Sequence, residues 1–246
     1  MIARRSESPW DAFVKVYDCD LAGLFAVVVH RAHPLRLLGI RTIRGRDNND
    51  LMTLFRSLKH PNLLLPQETF IWDGAFYLLH GDISTSLDHI ITCDASLDEI
   101  QLATILAQIL DGLIYLEQQH LVYPYLSPEN ILLTASGEVK IARLEECDKM
   151  EEGRIGQYTE PLRAITVELM QWYQEVDTRV GVDDVQQSPS GSDALDFLSS
   201  IDSQMSIQML RKRPLFVNHH WEKGYLRGLV SYASRSVFAF CTYRNT

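Results

Sequence analysis

The sequence predicts an α+β chain in which strands dominate the first third and helices the rest. Two observations carry this: short apolar, β-branched runs bounded by turn residues between positions 13 and 79, and apolar residues at helical spacing from about residue 96 onward. Val14 to Tyr17, Phe25 to Val29 and, after a turn at Pro34, Leu35 to Ile43 read as three strands in antiparallel hairpins. Asp47 to Leu58 then sets Leu51, Leu54, Phe55 and Leu58 on one helical face, with Asp47 able to cap the start. Phe70 to Trp72 and Phe76 to Leu79 are the next two strands, joined by an Asp73-Gly74 turn. The clearest helix starts at Ser96, which forms a capping box with Glu99, and carries Leu102, Ile105, Leu106, Ile109, Leu110 and Leu113 on one face. Ile131 to Leu133 is strand-like, and a helix follows from Glu160 or Pro161 to Tyr173. Asp177 to Ser192, with Ser188-Pro189-Ser190-Gly191, reads as a flexible loop.

Composition narrows the function classes. At 246 residues the chain fits one domain of two lobes or two small domains. Its 46% hydrophobic content is ordinary for a globular protein, and no apolar run approaches the roughly 20 residues that span a bilayer. The basic N-terminus lacks an apolar signal core, so a soluble protein of the cytoplasm or nucleus, away from membranes, is expected. Cys19, Cys93, Cys147 and Cys241 have no C-x-x-C spacing, and the eight histidines show no metal-binding pattern, so neither a zinc site nor a disulfide framework is expected. A net charge of −9 argues against nucleic acid as a partner. Arg211-Lys212-Arg213 is a local exception, read as a solvated helix end or a small docking patch.

The most informative stretch is Val122 to Leu133, VYPYLSPENILL. It resembles the H-R-D-L-x-x-x-N catalytic loop of eukaryotic protein kinases, in which the aspartate accepts the proton of the attacking hydroxyl and the asparagine holds magnesium. Leu126 and Asn130 keep their places, whereas Tyr123, Pro124 and Tyr125 fill the first three, so Tyr125 stands at the catalytic aspartate position. Other segments fall in the family's order. Leu58 to Leu63, LKHPNL, resembles the L-x-H-P-N-I segment, and Gly137 to Ala142 resembles the strand leading into D-F-G. Arg143, Leu144 and Glu145 take the three D-F-G positions, so a cation replaces the metal-binding aspartate. Leu38 to Arg41 matches the V-A-I-K strand with arginine in the lysine slot, and Leu51 falls where the partner glutamate belongs, Asp50 being the nearest carboxylate. A glycine-rich loop would span Leu21 to Val28, where Gly23 and Phe25 fit and Leu21 and Ala26 take the other two glycine positions.

The resemblance implies a bilobal fold: an antiparallel-sheet small lobe over residues 10–82, a trimmed and mainly helical large lobe over 83–216, and a C-terminal extension over 217–246. That extension matches nothing in the family and is left open between packing on the large lobe, binding a partner and a non-native end of the reading frame. The acidic stretch after Arg143 contains no A-P-E and reads as a solvated linker too short to dock a substrate. Nucleotide-binding candidates are Gly23, Arg41, Leu79 as gatekeeper, His80 and Asp82 along the hinge, Asn130 and Arg143. Leu21, Leu79 or Leu144 could fill the adenine space. Arg143 has two readings: it meets phosphates in place of magnesium, or it pairs with Glu145, Glu146 or Asp50 or points to water; the second is the expectation. Without a metal, Asn130 is expected to be a turn residue. The expected function is a pseudokinase, inactive in catalysis, that binds another protein such as an active kinase or a signalling assembly and needs no cofactor. The alternative is a divergent ATP-dependent Ser/Thr protein kinase in which Arg41 and Arg143 replace the lysine and the metal ligand.

Overall fold

Alternating apolar residues in the first third build a six-stranded sheet. A computed structural model of the chain describes residues 2–81, 83–93, 95, 97–150, 157–179, 192–202, 205–218 and 220–240. The strands are β1 (Ala3–Arg5), β2 (Phe13–Asp20), β3 (Leu24–His30), β4 (Leu37–Ile43), β5 (Glu68–Trp72) and β6 (Ala75–Gly81), in the order β1-β5-β6-β4-β3-β2. All pairings are antiparallel except that of β1, which joins β5 in parallel. The β5–β6 hairpin turns through Asp73 and Gly74, both at positive φ (47° and 67°), as a tight two-residue turn requires.

The pleat sorts side chains onto two faces. Phe25 pairs with Arg41, Arg41 with Leu78, and Gly39 with His80, so these residues and Val27 share one face. Val28, Ile40 and Leu79 lie on the other, in a cluster with Phe13, Phe70 and Tyr77. The short helix α1 (Pro9–Ala12), capped by Ser8, brings Trp10 edge-on to Tyr77 over this outer cluster. Helix α2 (Asn48–Ser57) begins at Asp47, whose carboxylate accepts from the Asn49 and Asp50 amides at 2.8 and 3.0 Å. It buries Leu51, Met52 and Phe55 in the main core with Phe76 and Leu78.

The large lobe is built around one helix. It contains β7 (Thr85–Ser86), α3 (Leu87–Thr92), α4 (Glu99–Gln118), β8 (Leu121–Val122), β9 (Ile131–Leu133), β10 (Val139–Ile141) and β11 (Asp148–Lys149). Then come α5 (Thr159–Arg179), α6 (Asp193–Ser200), α7 (Ile207–Leu210), α8 (Pro214–Val217) and α9 (Arg227–Phe240). All six apolar positions expected on one face of α4 are at most 2% exposed. Its length and mean hydropathy of 1.3 would suit a membrane span, yet 67% of that window is buried inside the fold, so it is a core helix. Its start differs from the sequence reading. Asp98 is the cap, accepting from the Gln101 amide at 2.7 Å while the Gln101 side chain accepts from the Asp98 amide at 3.1 Å. This box sits nearer the helix, and Ser96 lies outside the described residues.

Three further expectations change, and one of the alternatives left open for the C-terminal extension is met. The stretch after Arg143 is not a plain linker: Leu144–Glu146 form a 3-10 turn and β11 pairs antiparallel with β8, while residues 151–156 lie outside the described ones. Helix α5 runs to Arg179, past the expected loop start at Asp177, and 180–191 are outside the described residues. Arg211 and Arg213 are structural anchors. Arg211 forks onto Asp111 at 2.7 and 3.2 Å and stacks on Phe216 and Trp221, and Arg213 bonds Asp196 at 2.9 Å. Residues 221–236 pack on the large lobe: Leu226, Leu229, Val230 and Ala233 are buried, and Gln101 donates to the Tyr225 carbonyl.

Candidate functional site

Between the two lobes, the positions that carry the kinase machinery are occupied by groups that bind one another. Arg41 projects from the inner face of β4, and its Nη2 lies 2.5 Å from Glu145 Oε1 in the turn after β10. The pair is buried, with side chains 12% and 3% exposed. Burial lowers the Arg41 guanidinium from its ordinary value, and the facing Glu145 carboxylate opposes that shift. Glu145 thus supplies the counter-charge that Leu51, 4% exposed in the core, cannot. A second arginine fixes the same turn: Arg46, just before the α2 cap, donates to the Glu145 carbonyl at 2.6 Å and ion-pairs with Glu146.

Arg143 sits at φ 54°, in the left-handed region. Its guanidinium lies 5.2 Å from the ring centre of Tyr125 and its Nη2 is 3.6 Å from Glu146 Oε1. Cation and aromatic ring therefore stack at the two positions where a kinase has its metal-binding and catalytic aspartates. Asn130, 3% exposed, donates to the Tyr125 carbonyl and to Ser127 Oγ, both at 3.0 Å, which gives its side-chain amide a local turn role. Beneath them Tyr123 is 1% exposed and its amide donates to Tyr158 Oη at 2.9 Å. Burial pushes the Tyr123 phenol far above its ordinary range, so it cannot act as a base. Burial also pushes the neighbouring Cys147 thiol up to about 12.

Several of the expected nucleotide-side residues pack on one another. Gly23, at φ 102°, holds the β2–β3 turn directly over Arg41: a Cβ built there would lie 3.7 Å from Arg41 Nη2. Phe25, 1% exposed, turns inward and clusters with Ala22, Leu64, Leu132 and Ala142 from both lobes. A Cβ on Gly39 would meet the Phe25 ring at 2.8 Å, and the His80 ring is 5.6 Å away, edge-on. His80 is 2% exposed, and burial, then Arg41, push its imidazole down to about 3, so it is neutral at physiological pH. Its Nδ1 has no hydrogen-bond partner. Leu79, expected as gatekeeper, lies on the outer face of the sheet, because the pleat gives the inner face to Leu78 and His80. Leu144 packs in the main core and Leu21 only flanks the Phe25 cluster. Asp82 lies outside the described residues.

The fold therefore gathers Gly23, Arg41, His80, Asn130 and Arg143 around one cleft and sends Leu79 elsewhere. Sequence reasoning missed the packing role of Phe25, missed Arg46, and assigned Glu145 to Arg143 where the fold pairs it with Arg41. The donors do not fit magnesium either. One ligand position is a guanidinium, the Asn130 amide is committed to its own loop, and among the described residues no group of three His, Cys, Asp or Glu side chains could hold a metal.

Residues 46–163 match the family model described as protein kinase domain. Serine/threonine-protein kinase 36 of Pongo abelii is 29% identical over 103 residues, covering 39% of this chain. The chain spans 8% of that relative's length. The matched span runs from the residue before the α2 cap to the first turns of α5, and so holds the catalytic-loop frame and the altered metal-binding turn. With two lobes folded around that span, the chain has a protein-kinase-like fold and is similar over residues 46–163 to a protein kinase domain.

Proposed function

We propose that this domain is a catalytically inactive kinase relative, a pseudokinase, that works by binding another protein in the cytoplasm or nucleus. The observation that carries this reading is the self-satisfied cleft: Arg41 on Glu145, Arg143 on Tyr125, and Phe25 between the lobes. Phosphoryl transfer depends on positioning and electrostatic stabilisation of the transferring group. Loss of a positioned base alone typically costs about 10²- to 10⁴-fold. Here a polyanionic nucleotide would also approach Glu145 and Glu146 without a metal to screen them. Withdrawing Arg41 to meet a phosphate would strand the Glu145 carboxylate, and breaking a buried pair in that way costs roughly 3–5 kcal/mol. An active kinase or a signalling assembly is the partner class proposed, with the outer face of α2 and the large-lobe helices as surfaces.

One observation favours a second reading, a divergent ATP-binding Ser/Thr kinase: Arg143 Nε is buried without a hydrogen-bond partner and could receive a phosphate oxygen. Thermal unfolding with ATP plus magnesium, ATP plus EDTA, and no ligand separates the two, together with phosphate transfer to a generic substrate. No shift and no transfer are expected. A shift that persists in EDTA and disappears in Arg143→Ala, or transfer that depends on Arg41, would overturn the scaffold reading.

A further inference from the structure

The small-lobe sheet ends on an open strand. β2 is last in the strand order, among the described residues it pairs with β3 alone, and it is exposed throughout Val14 to Asp18. Every second residue of a paired strand turns its N–H and C=O away from its neighbour, so this edge presents a row of backbone donors and acceptors on its outer side. Apolar side chains accompany it. Val14, Val29 and Leu37 stand in one row across β2, β3 and β4, with Val14 40% and Leu37 56% exposed, and Val16 on the edge itself is 54% exposed.

A bulge or a central lysine ordinarily blunts such an edge, and β2 has both. Here the two act together. Lys15 pairs with Val28 and Tyr17 with Val27, which leaves Val16 as an extra residue and reverses the alternation of side chains beyond it. Phe13, Lys15, Asp18 and Asp20 therefore share the outer face, and Val14, Tyr17 and Cys19 the inner one. Lys15 Nζ lies 2.8 Å from Asp18 Oδ2 across the bulge, as a shared face requires.

Two copies joined along this edge in antiparallel fashion are related by a two-fold axis normal to the sheet, which keeps each side chain on its own face. Residues that stand opposite each other must then come from the same face. In a regular strand, Lys15 and Asp18 would lie on different faces and could never be opposed; the bulge makes the pairing possible. With the axis between Val16 and Tyr17, Lys15 of each copy faces Asp18 of the other, Val14 faces Cys19 and Phe13 faces Asp20. All of β2 is used and no like charges meet. Sliding the register two residues either way shortens the ladder and separates Lys15 from Asp18.

We infer that the partner of β2 is a second copy of this chain, the two small-lobe sheets joining into one through a two-fold β2–β2 ladder. The inference goes beyond the scaffold reading and stands whether or not the cleft transfers phosphate. One strand edge is a small contact beside the roughly 1,200–2,000 Å² of a stable interface, so the dimer is weak and forms as concentration rises.

Sedimentation equilibrium of the full chain over a concentration series tests it. The average mass should climb from monomer toward dimer. Lys15→Asp sets aspartates opposite each other twice, Asp18→Lys does the same with lysines, and each alone should weaken association at least tenfold. An equimolar mixture of these two single variants restores both opposite-charge pairs between unlike chains, so it should dimerise about as tightly as the parent. Loss of the pair within one chain could not be rescued by mixing. Lys15 and Asp18 are 50% and 44% exposed, so unchanged unfolding midpoints check the fold, and Arg227→Glu, exposed on α9, serves as a control that leaves association intact. A constant monomer mass, association that survives both single reversals, or a mixture no tighter than its components would each overturn the inference.

Discussion

Replacing Phe25 by alanine tests whether its ring fills the interlobe cleft. The side chain is 1% exposed and packed among Ala22, Leu64, Leu132 and Ala142, beside Gly39 and His80. Truncating a phenylalanine so enclosed costs about 3–5 kcal/mol, the upper end applying where the walls cannot collapse. Two walls here are strands and a third is the β9 hairpin, which limits collapse. For a domain of this size each kcal/mol moves the unfolding midpoint by about 2–4 °C, so the variant should melt on the order of 10 °C lower. The cavity left behind is flat, largely apolar and bordered by an unpartnered imidazole nitrogen. Adenine or indole should therefore bind it, recovering about 2.7 kcal/mol at 100 times the dissociation constant, and should leave the parent protein unmoved. Gly39→Ala probes the same contact from the other side. Its new methyl would meet the ring at 2.8 Å in the parent, costing about 1–3 kcal/mol, but should be nearly neutral in the Phe25→Ala background. A Phe25→Ala cost below about 1 kcal/mol, or additive effects of the two substitutions, would refute the packing described.

Three other outcomes are expected. Arg41→Met should destabilise by roughly 3–5 kcal/mol in chemical denaturation because Glu145 is left buried and uncompensated, whereas adding Glu145→Leu should restore most of it. His80 makes stability depend on pH in a defined direction. Its folded pKa of about 3 lies below the ordinary imidazole value of 6.5, so between these values the unfolded chain binds the extra proton. Stability should then fall as pH drops below about 6.5, by at most about 1.4 kcal/mol per pH unit, and the difference between the parent and His80→Leu isolates this from His60, which burial shifts the same way. Gly137→Ala combines a φ of +84° with a Cβ only 1.9 Å from the Lys223 carbonyl oxygen, so it should detach residues 221–236. Accelerated proteolysis there, with the small lobe intact, is the readout.

What could be read from the chain follows the range of the interaction. Asp47 as a cap, the Asp73-Gly74 turn and the buried face of α4 are set within a few residues, and each signal is local. The same locality explains the small error at α4: Ser96 and Asp98 both offer a capping side chain, and the Gln101 amide decides between them. Three-residue β1 has no periodicity to detect, since its pairing rests on β5, more than sixty positions away. Leu79 shows how sensitive the site is to phase. Side chains alternate along a strand, so a one-residue difference in alignment moves the gatekeeper position to the wrong face. Arg41 and Glu145 are separated by more than a hundred residues, and only the docking of two lobes reveals that each has a partner.

The pattern of replacement also constrains how such a site can change. A buried cation without a counter-charge is costly, so arginine at position 41 and glutamate at 145 are mutually dependent in this fold. Arg143 depends on its neighbours in the same way: its charge faces the Tyr125 ring on one side and Glu146 on the other, and Glu146 is also held by Arg46 beside the α2 cap. Putting an aspartate at 143 alone would set a third carboxylate next to Glu145 and Glu146 and remove the cation from the tyrosine ring. Single steps back toward the kinase motif therefore run uphill in stability before any catalytic group is in position. The turn after β10 is held by coupled pairs, and Arg46, just before helix α2, ties the start of that helix to it.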